Sequence, residues 1–491
     1  MRNSLFGLLS WILPIVPTMV ATPIVLARIG KVEYGVLVVI IGFTSYFFTT
    51  AIGKVAAKYV AEYRSTGETD KISSVISATL ILGVSITLIG LLVTVIFARY
   101  VVVEVLQIPP DLHDEAIIGL YLACATILSV VIGQVFQFVL QGLNRFDRFL
   151  LFANLSSVSF SLGSIVIVLL GYGIVTLLAW NLATWCIVCV LSYLSVKRLM
   201  PEFHFQFRIP AEIWHVVGAY AASIIAYQIF GNVLLIFERG WILRNFGGEA
   251  VTYYVVPMAL AMYLHLFTAS LVLAMFPAIN ELLNRPERLR ELYQKATKLV
   301  LTLLGFAVLS MIVCGKMFLG LWLKDNFAET SYLLLVIHTV TFAILALNTI
   351  AWQIADSFRA SFLNAVATAA WMAVGIFVMI ALSNGWQTEG VAVGRLAGVL
   401  VFMPLIFYIE KRFLGGIFWQ FWGSVGFRIF LASTAAVFGQ LGLIYVLGNS
   451  WITFFLAISG GLLIYFGILL VLGFLDESEK QMIRDIFAKY R

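Results

Sequence analysis

The residues of this sequence that could do chemistry are a few ionisable side chains within or beside long apolar runs. Arg395 lies inside one run, Arg28 closes the first run, and the adjacent Glu238 and Arg239 lie near the end of another. A charge at the centre of a membrane helix costs ~2.5–3.5 kcal/mol, so each such residue is a candidate for function. Arginine suits phosphate oxygens, because its planar guanidinium donates two parallel hydrogen bonds. The structural alternatives are anchoring at the membrane surface for the arginines and mutual neutralisation for the Glu238–Arg239 pair.

Two further pairs of residues are candidates for binding or coupling. Lys54 and Lys58 are one helical turn apart near the end of an apolar run, where they could meet an anionic group. Lysines that only orient a chain in the membrane have the same pattern. His265 and His338 lie in the middle of other runs, and histidine titrates near neutral pH, so both are candidates for coupling to a proton gradient. A neutral histidine in a helix contact is the structural alternative.

Four prolines mark places where a spanning helix could bend. Pro14, Pro17 and Pro23 lie in the first apolar run, and Pro257 lies in the eighth. Proline removes a backbone hydrogen bond, which a membrane helix tolerates only where neighbouring groups or water replace it. We therefore predict bent helices beside a cavity, with these prolines as hinge candidates.

No motif for catalysis or for a cofactor is found in the sequence. There are five His and no GxxxxGK(S/T) nucleotide loop. Cys186 and Cys189 form a CxxC within an apolar run, without a second Cys/His pair at zinc spacing. We expect no enzyme activity, no metal and no cofactor.

The composition indicates that the chain is surrounded by lipid. Apolar residues make up 62% of the 491 positions, while Asp, Glu, Lys and Arg make up 11%; a soluble domain has about 25% charged residues. The net charge of +6 does not indicate a nucleic-acid partner, because the Lys and Arg lie in short connections between apolar runs. A multi-pass membrane protein is predicted.

Fourteen apolar runs form the predicted spans, since a helix needs ~20 residues to cross ~30 Å of hydrocarbon. They are Leu8–Ala27, Gly35–Val60, Ile72–Ala98, Ala116–Leu140, Phe149–Leu170, Ile174–Val196, Val216–Leu243, Val251–Phe276, Leu299–Val313, Tyr332–Ile354, Ala360–Leu382, Gly390–Ile409, Ile429–Leu447 and Trp451–Phe474. The N-terminus and the even-numbered connections hold 23 Lys and Arg, while the odd-numbered connections hold seven. This asymmetry predicts that both termini are cytoplasmic.

The first twelve spans form two sets of six, which predicts parallel repeats about an axis normal to the membrane. The turns after spans 1 and 7 share an Arg, a Gly, an acidic residue and an aromatic, which are Arg28, Gly30, Glu33 and Tyr34 in one and Arg244, Gly247, Glu249 and Tyr253 in the other. We predict an all-α polytopic fold of two six-helix lobes. The lobes are residues 1–198 and 216–410, joined by a cytoplasmic loop at 199–215. Helices 13 and 14 follow at 411–475, with an amphipathic cytoplasmic tail at 476–491.

Short motifs that occur in order along the chain add a family resemblance. They are Ala27–Gly35 (ARIGKVEYG), Phe276–Ile279 with Glu287–Tyr293, Leu321–Leu323, Gly390–Gly394 and the pair Glu238–Arg239. Together they resemble the polysaccharide flippases, the Wzx-type O-antigen and exopolysaccharide transporters of the multidrug/oligosaccharidyl-lipid/polysaccharide exporter superfamily. Arg395 departs from the family pattern, in which a small or apolar residue is expected at this position.

The resemblance implies a flippase of the bacterial cytoplasmic (inner) membrane. Such a protein moves an undecaprenyl-pyrophosphate-linked oligosaccharide to the outer leaflet by alternating access, for cell-surface polysaccharide biosynthesis. It uses a central cavity between the lobes and needs neither ATP nor a prosthetic group. The expected partners are this lipid-linked oligosaccharide, membrane lipids, and a polysaccharide polymerase and glycosyltransferases. The basic candidates named above would then bind the pyrophosphate.

Three alternatives are open at this point. A cation-coupled multidrug or small-molecule exporter of the same fold would favour an acidic cavity, whereas the charge in and near the spans is mainly basic. A membrane-embedded glycosyltransferase or polymerase is disfavoured by the short outer connections. A non-transporting scaffold for a glycan assembly complex is compatible with the sequence.

Overall fold

Helices form all the long elements of the chain in a computed structural model, which describes residues 2–48, 52–273, 279, 282–358 and 360–475. No residue in these ranges lies in a β-strand. Hydrocarbon offers the backbone no hydrogen-bond partners, so a chain within it forms helices, which satisfy their own backbone groups. The predicted all-α fold is therefore confirmed. The predicted tail at 476–491 and Arg359 lie outside the described residues.

The helices are numbered in chain order. They are α1 (Arg2–Ile29), α2 (Lys31–Phe48), α3 (Gly53–Thr66), α4 (Asp70–Ile96), α5 (His113–Gly142), α6 (Phe146–Leu169), α7 (Ile174–Leu199), α8 (Ala211–Leu273), α9 (Pro286–Leu323), α10 (Asp325–Ser357), α11 (Ser361–Val399), α12 (Phe402–Phe413), α13 (Trp419–Leu447) and α14 (Trp451–Val471). Between α4 and α5 lie three short turns, an α-helical one at Ala98–Tyr100, a π-helical one at Val101–Val105 and a 3₁₀ one at Pro110–Leu112.

Every predicted span overlaps one of these helices. Two of the stretches apolar enough to cross a membrane, Gln228–Val272 and Ser361–Phe413, are 45 and 53 residues long. At ~1.5 Å per residue, each is more than twice as long as the ~30 Å hydrocarbon layer, so each holds two spans, as predicted. The predicted second span contains two described helices, α2 up to Phe48 and α3 from Gly53, and residues 49–51 lie outside the described part of the chain. The helix α3 has four charged side chains in 14 residues, which suits the membrane surface better than its centre.

The described chain packs as two compact units. The first unit contains the residues up to Thr252 together with Thr368–Val391, and the second contains Tyr253–Ala367 together with the residues from Ala392 onward. Within the first unit, α3, α4, α5 and α7 share one apolar core with the beginning of α8. The lobe boundaries expected from the polar stretch at 199–215 stay a prediction.

The C-terminal helices α13 and α14 pack against α9 in the second unit. Tyr465 Oη donates a hydrogen bond to the carbonyl oxygen of Thr302 at 2.8 Å, and Ser433 Oγ donates to that of Gly305 at 3.2 Å. A Cβ at Gly305 would lie 2.4 Å from Ile429 Cγ2 and 3.0 Å from Tyr465 Oη. Close approach at small residues and hydrogen bonds between helices hold membrane helices together, because lipid supplies no hydrophobic drive for their association.

A buried carboxylate connects three helices of the same unit. Glu410 on α12 is fully buried, and it accepts hydrogen bonds from Tyr293 Oη at 2.9 Å and Trp422 Nε1 at 2.8 Å. The backbone N–H of Phe418 donates a third at 3.2 Å. A buried carboxylate requires such donors, so Glu410 has a structural role in joining α9, α12 and α13.

Replacing Gly305 by valine should loosen the C-terminal pair from α9, because the added side chain would overlap α13. Overpacking of this kind costs about 1–3 kcal/mol, so the thermal stability of the purified protein in detergent should fall. The matched control is Gly442→Val on α13, since a Cβ at Gly442 has no atom within 4 Å. Equal melting temperatures for the two variants would contradict the described packing.

Candidate functional site

The two turns that share a sequence pattern also share a backbone conformation. Gly30 separates α1 from α2 with φ 90°, and Gly247 interrupts α8 with φ 84°. Residues with a Cβ rarely adopt this left-handed conformation, whereas glycine does so readily. Both turns therefore have a glycine in the left-handed region between two predicted spans, as a repeat of the local pattern would have.

These two turns are in direct contact within the first unit. Lys31 Nζ lies 2.9 Å from Glu249 Oε1, and Thr252 Oγ1 donates a hydrogen bond to the carbonyl oxygen of Lys31 at 2.6 Å. The backbones approach so closely that a Cβ at Gly35 would lie 1.9 Å from the carbonyl oxygen of Gly248. The charge pattern predicts that both turns lie on the outer side of the membrane, and this orientation stays a prediction.

Arg395 on α11 is enclosed by protein. Its side chain is 2% exposed, and its guanidinium carbon lies 5.3 Å from the centre of the Phe342 ring on α10. One turn before Phe342 is His338, which is fully buried, has Arg395 as an electrostatic neighbour and contacts the Tyr254 ring edge-on at 4.6 Å. The structure thus brings two predicted residues, Arg395 and His338, together. A side chain that extends to the membrane surface would not be buried in this way.

The remaining predicted residues differ in burial. On α8, Glu238 is fully buried, and Arg239 and His265 are half-buried. Glu238 and Arg239 are consecutive in a helix, so their side chains leave it in different directions. Arg28 is exposed at the end of α1. Their roles in binding and coupling stay predictions.

Two cations lie on one exposed face of α3. Lys54 and Lys58 are both exposed, and Lys58 Nζ lies 4.2 Å from the centre of the Tyr220 ring and 4.8 Å from that of Tyr59. Aromatic faces attract a cation through the ring quadrupole, so the two tyrosines hold the Lys58 ammonium in place. Among the described residues no carboxylate forms a salt bridge with Lys58. With three basic residues and one acidic residue, α3 has a net positive charge.

The four prolines predicted as hinges all lie inside helices, Pro14, Pro17 and Pro23 in α1 and Pro257 in α8. Thr18 Oγ1 donates a hydrogen bond to the carbonyl oxygen of Pro14 at 2.8 Å, and bonds of this kind often bend helices. Backbone breaks in the long helices occur elsewhere, at Gly247 in α8 and at Gln387 (φ 44°) in α11. The hinge role of the prolines stays a prediction.

Metal-ligating side chains are dispersed over the described residues. Nowhere in these ranges do three or more His, Cys, Asp or Glu side chains come close enough together to hold a metal ion. Cys186 of the CxxC pair has its Sγ 3.3 Å from Ser129 Oγ, within hydrogen-bond range for sulfur.

A half-open cavity of about 260 Å³ lies in the first unit among α2, α5, α6 and α7. Its polar lining residues are Thr126, Gln134, Ser156, Ser157, Asn181 and Trp185, and no lining residue is charged. This cavity was not predicted from the sequence, because its polar lining residues are uncharged and come from three separate helices. The amides of Gln134 and Asn181 could have indicated it, since an unpaired amide in hydrocarbon is unfavourable.

No protein-family model and no curated protein matches the sequence. Its fold is similar to solved transporters of one superfamily. The lipid II flippase MurJ, in an inward closed conformation, matches over 96% of this chain and 98% of its own, with 14% identity and a TM-score of 0.71.

Two further solved structures are similar. An inward-facing multidrug resistance MATE family transporter of the MOP superfamily matches over 84% of this chain and 94% of its own, with 13% identity and a TM-score of 0.67. A MOP superfamily transporter from Pyrococcus furiosus matches over 84% and 95%, with 13% identity and a TM-score of 0.64. At these identities the similarity establishes the fold alone.

Replacing Gly35 by valine should separate the two turns, because its Cβ would overlap a backbone carbonyl that cannot turn aside as a flexible side chain does. Cysteines introduced at Lys31 and Glu249 report the contact through their yield of cross-linking by a short bifunctional reagent. The yield should fall severalfold in the Gly35→Val variant and stay unchanged in Gly173→Val, where a Cβ has no atom within 4 Å. An unchanged yield in Gly35→Val would show that the turns are not in contact.

Proposed function

We propose that this protein is a flippase that moves an undecaprenyl-pyrophosphate-linked oligosaccharide from the cytoplasmic to the outer leaflet of a bacterial inner membrane by alternating access. The observation that carries the proposal is the exposed cationic face of α3, with Lys54 and Lys58 one turn apart. The charge pattern of the connections predicts that this face lies on the cytoplasmic side, where a lipid-linked oligosaccharide is made. The protein would supply this substrate to a polysaccharide polymerase after glycosyltransferases have built it.

The chemistry of the two lysines fits a pyrophosphate headgroup. An ammonium donates charge-assisted hydrogen bonds to phosphate oxygens in several directions. Lysines one turn apart on a helix have neighbouring Cβ atoms, so both can reach one pyrophosphate. Arg395 then offers a guanidinium in a protein-enclosed position, where electrostatic attraction is stronger than in water. The undecaprenyl tail stays in the bilayer.

The extent of the structural similarity also supports a flippase. The similarity covers 96% of this chain for the lipid II flippase and 84% for the MATE transporter. The difference is about as long as the C-terminal pair α13 and α14. The match with the flippase is therefore the more complete of the two.

A cation-coupled exporter is the second candidate, and the observation in its favour is Glu238. This carboxylate is fully buried in a predicted span, where a coupling cation could bind it. The MATE similarity is compatible with this function. For a membrane-embedded glycosyltransferase or polymerase we find no supporting observation, since the structural neighbours are transporters and a flippase.

Removing both lysines of α3 should impair the transport of an anionic headgroup. Hydrogen bonds to charged groups contribute about 1.5–3 kcal/mol each, so Lys54→Ala with Lys58→Ala should lower polysaccharide synthesis in a complemented flippase-null strain by at least about tenfold. The arginine pair at the same positions should retain most activity, and Lys316→Ala on α9 is the exposed control. Full synthesis in the double variant, with loss of drug resistance instead, would favour the exporter.

Arg395→Ala should abolish complementation while the protein remains in the membrane at a near-normal level. Arg395→Lys should restore activity only in part, because lysine keeps the charge but lacks the planar pair of donors. Polysaccharide synthesis, membrane protein level and thermal stability are measured in parallel. An alanine variant that is stable and fully active would show that Arg395 has no part in transport.

A further inference from the structure

We infer that the neutral cavity among α2, α5, α6 and α7 binds an uncharged sugar ring of the transported glycolipid. This inference rests on the proposed function and adds to it a site for the saccharide that is separate in chemistry from the cations that would bind the pyrophosphate. It assigns a ligand to the polar lining residues, which come from three helices of the first unit.

Polar groups of the cavity lining are available for a ligand. The Thr126 and Ser156 hydroxyls donate to carbonyl groups of their own helices at 2.8 and 2.9 Å. The other four polar lining residues are Gln134, Ser157, Asn181 and Trp185. Their side chains make no hydrogen bond to any part of the chain that the structure describes. Such groups are unfavourable inside a membrane protein unless water or a ligand pairs with them.

The types of these side chains favour a hydroxyl-rich, uncharged ligand. Each amide offers both donors and an acceptor, a serine hydroxyl can do either, and the indole N–H donates. Sugar hydroxyls likewise donate and accept at each position. The aromatic rings of Phe160 and Trp185 in the lining offer flat apolar surfaces for the C–H faces of a pyranose ring. A pyrophosphate would find no cation among these residues.

The size of the cavity fits one small polar ring. Its volume of about 260 Å³ greatly exceeds the ~10–15 Å³ that a single water needs and approaches the ~300 Å³ of the smallest ligand pockets. Two buried polar atoms without partners in the described part of the chain, Gln137 Nε2 and Thr184 Oγ1, belong to residues three positions from Gln134 and Asn181. Residues so spaced are neighbours on a helix surface, so the polar region continues beyond the lining.

Protection of a cysteine in the cavity tests occupancy directly. Ser157→Cys is made in a variant whose four native cysteines are replaced by alanine, and its reaction with N-ethylmaleimide is followed in nanodiscs. The probes are bare undecaprenyl pyrophosphate, the same lipid bearing one to three glucose, galactose or N-acetylglucosamine units, the corresponding methyl glycosides, and inorganic pyrophosphate. The glycosylated lipids and at least one glycoside should slow labelling, while pyrophosphate and the bare lipid should not. Ser159→Cys on the same helix, which is outside the lining, should be protected by none.

Substitution of an amide tests which part of the substrate the cavity binds. Asn181→Leu keeps the side-chain volume and removes the hydrogen bonds, so its dissociation constant for the glycosylated lipid should rise about tenfold or more. Its affinity for bare undecaprenyl pyrophosphate should stay within twofold of the wild type. Asn154→Leu, on α6 outside the lining, should leave both affinities unchanged.

The outcomes distinguish this inference from the proposed function. If both lipids bind equally well and Asn181→Leu weakens neither or both alike, the sugar site is wrong while the flippase proposal stands. If neither undecaprenyl lipid binds, the flippase proposal fails. Protection by the methyl glycosides then decides whether the cavity binds a sugar. Absence of protection by every glycoside, or protection by pyrophosphate, would overturn the sugar site.

Discussion

Within the hydrocarbon layer, a polar group is stable only where protein surrounds it and forms a hydrogen bond or ion pair with it. The rest of this structure depends on that constraint. The backbone meets it by forming helices. Glu410 meets it with three donors from neighbouring helices, and the Arg395 guanidinium is enclosed beside an aromatic ring. In the neutral cavity of the first unit, several polar groups have no hydrogen-bond partner within the described chain. A substrate can supply the missing partner there.

A lipid-linked oligosaccharide poses this problem in two parts, because its pyrophosphate is charged and its sugars are neutral. The described residues contain a matching division. Lys54 and Lys58 are exposed cations on a helix that is polar enough for the membrane surface, whereas the cavity lining has amides, hydroxyls and an indole without any charge. An anionic-headgroup site and a neutral sugar site of these two kinds are what the proposed transport of such a substrate requires.

The fold could be predicted from the sequence because the membrane restricts it so strongly. Apolar runs of sufficient length give the spans, and the Gly30 and Gly247 turns were already visible as similar local patterns. The charged residues of α3 were included in the second predicted span, because its apolar residues continue the apolar run. Arg395 was recognised as a candidate because a charge in an apolar run is conspicuous, and its role in transport stays a prediction. The cavity was not recognised from the sequence, because it is formed by uncharged residues that are distant in sequence and come together only through packing.

We propose that this chain carries a sugar-bearing anionic headgroup across the bilayer. The most direct measurement reconstitutes the purified protein into liposomes that contain an undecaprenyl-pyrophosphate-linked oligosaccharide, and follows oxidation of the sugar by external periodate, which does not cross the membrane. The fraction of the lipid-linked oligosaccharide that periodate oxidises should rise beyond the outer-leaflet share seen in protein-free vesicles. No protein-dependent rise, together with transport of a cationic drug by the same vesicles, would contradict it.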